Sequence, residues 1–211
     1  MVAMASTANE SRVLALFADL LEYPRRDLDV AQTARECRAL IASESAEAAT
    51  LLGEFVTFAE RTPPDMIEEV FSATFDLNAS CHPYVGYQLF GEAYPRSIFM
   101  LELKDRYRNV NYDPGVELPD HIAVMLRYMS MSSDAESNGE IAREGLLATL
   151  EAMTLPPETA AEDERDVPEL YDVGKDYRRV LKALRLVLQA RYGAHEQAQP
   201  IPIPDAERLI S

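Results

Sequence analysis

Prolines divide this chain into stretches whose apolar residues recur every three or four positions. That alternation confines it to helices joined by proline-bearing connections. In "ESRVLALFADLLEYP", Val13, Leu16, Phe17, Leu20 and Leu21 keep the spacing until Tyr23-Pro24 ends it. Further helices are predicted over 27–42 and 46–61, with "TPP" as the next break and a short stretch over 64–73 beyond it. Another runs over 96–108, where Phe99, Leu103 and Tyr107 form one row that Ile98 and Leu101 widen. After the turn formers of "NVNYDPGVELPD", Ile122, Met125, Leu126 and Met129 follow at i, i+3, i+4, i+7, the clearest amphipathic signal in the chain. A helix over 136–153 precedes "TLPPETAAEDERDVPE", which reads as a mobile acidic loop. The last helix, 169–192, carries Tyr177, Val180, Leu181, Leu184 and Leu188 on one face, with Gly193 as its C-cap.

The expected architecture is an all-α, single-domain helical bundle. Its 211 residues are 47% hydrophobic, ample for a buried core, and include only 8 glycines against 13 prolines. Residues 1–9 are expected to form a flexible N-terminus, 10–193 the helical domain, and 194–211 a C-terminal tail. A formal charge of −16 without any dense Lys/Arg block opposes nucleic acid and favours a basic protein segment. Cys37 and Cys81 share no CxxC or repeated spacing and are expected as free thiols in a reducing compartment. No apolar run approaches ~20 residues, and "MVAMASTANESR" has neither charged n-region nor h-region, so a cytoplasmic protein without stable membrane insertion is expected.

No catalytic or metal constellation stands out. His82, His121 and His195 with the two cysteines make no HExxH, no paired i, i+4 histidines and no closely spaced thiols. Glu-x-x-His pairs, P-loops, dinucleotide fingerprints and a GxSxG elbow are also missing, so no cofactor is expected. Leu118-Pro119-Asp120-His121 has a local reading as a helix start, with proline in the first turn and Asp120 as the cap. Tyr84, Tyr87, Phe90 and Tyr94 lie in "CHPYVGYQLFGEAYP", poorly periodic and punctuated by Gly and Pro, so some of them should line a groove. Met125, Met129 and Met131 suit either irregular packing or a surface that accepts another helix.

"FDL" at 75–77, "FGEAYPRS" at 90–97, the span from Arg96 to Tyr107 and above all "ELPDHIAVMLRYMS" resemble the NarJ branch of the NarJ/TorD/DmsD chaperones, the delta-subunit type. The likeness extends more weakly through "ELYDVGKDYRRVLKALRLVL" and covers most of residues 10–192. It implies an all-α cytoplasmic chaperone, not an enzyme. Such a chaperone binds the apo catalytic subunit of a complex molybdenum oxidoreductase of the nitrate-reductase-like, type II class, through that subunit's N-terminal segment. It assists molybdopterin cofactor insertion before membrane attachment or twin-arginine export, and acts as a monomer or dimer.

By the same resemblance, Leu118, Pro119, Asp120 and His121 correspond to a helix start implicated in client binding, and Leu89-Phe90-Gly91 with Pro95-Arg96-Ser97 to a second signature. The TorD-like branch has an aromatic where this chain has Gly86, with Tyr87 one position later. The expected client-binding set is therefore Tyr87, Leu89, Phe90, Pro95, Arg96, Leu118, Pro119, Asp120, His121 and Met125. Asp120→Ala is expected to weaken client capture without unfolding the protein. Two other readings stand beside this one: a structural helical subunit of a redox complex, and a hydrolase or metalloenzyme using Asp120 and His121.

Overall fold

The computed structural model describes residues 2–77, 81–154 and 174–193, with side chains from residue 8 onward. Helix α1 runs over Val2–Leu21. Within it, Ala8 and Glu10 favour helix. α2 (Val30–Ile41) opens on Asp29, whose carboxylate accepts from the Gln32 amide at 2.8 Å. α3 (Ala46–Arg61) opens on Ser45, which accepts from the Ala48 amide. These short polar caps satisfy amides that the first turn leaves unbonded. α4 (Pro64–Phe75) has proline in its first turn, where a missing N–H costs nothing.

α2 packs on α1 and α3, α7 (Ile122–Met131) lies along α1, and α10 (Lys175–Tyr192) packs against α3 and α9 (Leu147–Thr154). The core carries an aromatic knot in which Tyr177 meets Phe55, Phe71 and Phe75 at centroid distances of 5.2, 5.3 and 5.5 Å, each edge to face. Such pairings add to the ~2 kcal/mol that burying each ring already contributes. Cys37 and Cys81 are both buried thiols, and neither forms a disulfide.

Three sequence expectations change. The segment after "FDL" contains a short helix, α5 (Val85–Phe90), closed by Gly91 at φ 61°, a conformation that glycine adopts without steric cost. In α6 (Tyr94–Asn109) Leu103 and Tyr107 are buried, but Leu101 is 60% exposed and faces away from the row it was expected to widen. The helix expected over 136–153 is three pieces: α8 (Ala135–Glu140), a π-helical stretch over Ile141–Leu146, and α9. In the widened turn, Gly145 lies where a Cβ would meet Val85 Cγ1 at 3.4 Å and Met125 Cε at 3.6 Å, so the π segment closes directly on α5 and α7. The acidic loop expected after residue 154, the first turn of the 169–192 helix and the tail from 194 lie outside the described residues.

Candidate functional site

Residues 118–121 form a strap that leads into α7, with Pro119 and Asp120 ahead of the helix and not in its first turn. The His121 amide donates to the Leu118 carbonyl at 3.1 Å, turning the chain, and α7 begins only at Ile122. The strap pairs antiparallel with residues 83–85, at the entry to α5. The Val85 amide donates to the Asp120 carbonyl at 2.7 Å, and the Ile122 amide to the Pro83 carbonyl at 2.8 Å. The Tyr107 hydroxyl, buried under α6, donates to the Pro119 carbonyl at 2.6 Å. Three chain segments are thereby held in one register by backbone oxygens that a helix would have used internally.

With its backbone so committed, Asp120 does not cap α7. The cap is His121, whose Nδ1 accepts from the Ala123 amide at 3.2 Å. Asp120 turns inward with no exposed surface. Arg96 donates to it twice, Nε to Oδ2 at 2.8 Å and Nη2 to Oδ1 at 3.4 Å. Arg96 in turn stands 5.7 Å from the ring centroids of both Tyr84 and Tyr87, within reach of their faces. Gly86 makes this approach possible: a Cβ there would lie 2.8 Å from Asp120 Oδ2 and 3.1 Å from both Arg96 Cγ and Phe99 Cδ1.

The Tyr84 ring meets His121 edge to face at 5.3 Å, and its hydroxyl donates to Glu117 Oε1 at 3.3 Å. Burial, reinforced by the Glu117 charge, pushes the Tyr84 hydroxyl up to about 12, so it remains a donor. Burial also holds His121 below the usual histidine value despite the surrounding carboxylates, first among them Glu117. With Nδ1 accepting from a backbone amide, the neutral ring carries its proton on Nε2.

Of the residues expected to meet a client, the structure brings Tyr87, Arg96, Asp120 and His121 together. Phe90 is half-buried against Phe99 at 5.9 Å, Leu89 packs on the edge of the core, and Pro95 sits in the first turn of α6. Leu118 is 42% exposed, but Pro119 is buried and Met125 has no exposed surface, being packed beneath the strap in α7. A client could touch Asp120, Pro119 and Met125 only through the groups that cover them. Tyr84 and Gly86, absent from that set, are central to the geometry.

The fold and site together define an all-α bundle with a strapped cluster of aromatic rings around one buried ion pair. Among the described residues no group of three or more His, Cys, Asp or Glu is placed to hold a metal, and no helix is long and apolar enough to cross a membrane. The family model for the nitrate reductase delta subunit matches residues 39–156, more than half of the chain, and the chain belongs to that family. The matched span contains α5, α6, the strap and α7.

The chain is also similar, at 37% identity over 79 residues, to the Bacillus subtilis (strain 168) protein named "probable nitrate reductase molybdenum cofactor assembly chaperone NarJ". That match spans 37% of this chain and 42% of the relative, less than half its length. A solved structure named "a putative redox enzyme maturation protein from Archaeoglobus fulgidus" aligns with a TM-score of 0.49 at 20% identity, over 82% of this chain and 93% of the other.

Proposed function

We propose that this protein is a maturation chaperone that binds the apo catalytic subunit of a nitrate-reductase-like molybdenum enzyme, in the cytoplasm, through an apolar N-terminal segment of that subunit. The observation that carries the reading is the strapped cluster itself, in which Tyr84 and Tyr87 stand half-buried beside Arg96 and Phe90 half-buried against Phe99. Half-buried aromatics held on a rigid backbone present a large contact area at little entropic cost to a peptide that buries apolar side chains on them. The net charge of −16 would speed the encounter with a basic segment, an effect that fades with salt. Cofactor insertion and delayed export of the client follow from holding such a segment until assembly is complete.

The geometry lends no support to acid–base chemistry at the strap. The lone pair of His121 Nδ1 is taken by the Ala123 amide, and both Asp120 oxygens accept from Arg96. The structural-subunit reading is favoured by the family's description as a subunit and differs in stoichiometry. Affinity purification of the tagged chain from its native host, with mass spectrometry and molybdenum analysis, separates the two. An immature molybdopterin-type subunit without its metal supports the chaperone; mature holoenzyme carrying the chain stoichiometrically supports the subunit.

A further inference from the structure

α6 reaches the strap at two points. Arg96 and Tyr107 lie three turns apart, about 16 Å along the helix axis, yet they bond consecutive residues, Arg96 the Asp120 carboxylate and Tyr107 the Pro119 carbonyl. The first contact holds a side chain and the second holds the backbone. Tyr107 is 1% exposed, with its ring against Tyr112 and Tyr128 at centroid distances of 5.4 and 5.1 Å. Burial raises its hydroxyl above the ordinary tyrosine value, so it stays a donor.

The two ends of this stretch are held differently. Residues 120–122 are tied by the backbone bonds to Pro83 and Val85 and by Arg96. Residues 117–119 stand between two cavities, one of about 720 Å³ beside Lys104, Tyr107 and Arg108 and one of about 230 Å³ walled by Tyr23 and Asp76, and Glu117 borders both. Packing on those flanks is therefore sparse. Their hydrogen bonds are mostly local: the Leu118 amide donates to Glu117 Oε1 at 2.8 Å, and the Leu118 carbonyl accepts from the His121 amide. Glu117 Oε1 also accepts from the Tyr84 hydroxyl at 3.3 Å, which joins this stretch to the aromatic cluster. Among the described residues, Tyr107 supplies the hydrogen bond that ties it to a helix.

We infer that Tyr107 is a positioning residue for the proposed client surface: by anchoring the Pro119 carbonyl, its hydroxyl sets where Leu118 and Glu117 stand, and through Glu117 it steadies the Tyr84 ring on which a bound segment packs. The inference rests on the chaperone reading for that segment. Tyr107→Phe removes one oxygen and keeps the ring contacts, so the helices remain while the buried Pro119 carbonyl loses its donor. A looser surface releases its segment sooner, because part of the binding energy is then spent on ordering the strap.

The test compares Tyr107→Phe with Tyr128→Phe in the full-length protein. Tyr128 is 3% exposed, its ring packs on Tyr107 and its hydroxyl lies 3.1 Å from Ser137 Oγ, so the second variant loses an equally buried hydroxyl that does not touch the strap. Native-state amide hydrogen exchange is read first. In Tyr107→Phe the Val85, His121 and Ile122 amides should exchange at least about tenfold faster relative to those of α10, and in Tyr128→Phe that ratio should stay as in the wild type. The second readout is the dissociation rate of the molybdopterin-type subunit that co-purifies with the tagged protein from its native host. It should rise about threefold to tenfold for Tyr107→Phe and hold for Tyr128→Phe. An unchanged exchange ratio, acceleration spread evenly over the fold, or equal dissociation from both variants overturns the assignment and leaves the chaperone reading standing. A wild-type protein that captures no such subunit sinks the chaperone reading and takes the assignment with it.

Discussion

Gly86 and Asp120 are in such close contact that one methyl group on the glycine would lie 2.8 Å from the carboxylate oxygen. The glycine is helical, so its value here is its size, not its freedom of φ. Gly86→Ala should therefore cost about 1–3 kcal/mol by forcing Asp120 or Arg96 aside, although alanine is the better helix former. Chemical denaturation followed by circular dichroism checks this, and a stabilised variant would show that the contact is slack.

Asp120→Ala removes the partner of a guanidinium that is itself mostly buried, with 17% of its side chain exposed. A loss of about 2–4 kcal/mol is expected, within what a folded domain of this size can tolerate. Any loss of client capture in this variant must therefore be measured on the folded fraction. Arg96→Ala combined with Asp120→Ala should cost clearly less than the sum of the single changes, as read from urea midpoints.

The His121 ring, held neutral by burial, takes up a proton less readily folded than unfolded. Its contribution is complete above the ordinary histidine value of 6.5 and is lost as pH falls below that value, by up to about 1.4 kcal/mol per pH unit. His121→Asn retains a capping oxygen and should flatten that part of the profile. Melting temperatures between about pH 7.5 and about pH 5.5 decide it; parallel profiles for both proteins would assign the pH dependence elsewhere.

Cys37 has no exposed surface, and burial pushes its thiol up to about 12. An aromatic disulfide reagent at about pH 8 should leave it untouched in the native protein and modify it at once in guanidinium chloride. Rapid native labelling would place α2 in an opening equilibrium much faster than global unfolding.

Where apolar periodicity and capping residues agree, as at Ser45 for α3, the helix is legible to the residue. Leu101 was not, because periodicity gives the centre of an apolar stripe but not how far a neighbour covers its edge. The π stretch escaped for a related reason: Ile141, Ala142, Gly145 and Leu146 are spaced as any helical face would be. The strap motif carried a local reading as a helix start, and its true bonding depends on Pro83, Val85 and Tyr107, which are distant in the chain. Tyr23 and Asp76 reach the same cavity from the ends of two separate helices, and nothing in linear spacing announces that convergence. The resemblance singled out residues 118–121 as a unit, while side-chain direction, which linear sequence does not carry, decided that Leu118 faces outward and Pro119 and Asp120 do not.

The two backbone bonds that tie residues 83–85 to 120–122 bear on how the chain folds. In a helical protein nearly every backbone bond joins residues three or four apart and forms by local search. These two must wait until the whole of α5 and α6 has looped back, a closure whose entropic cost is met before any of its contacts form. The strap is thus placed to form late in folding, so a nascent chain would acquire its helices before it acquires its candidate binding surface.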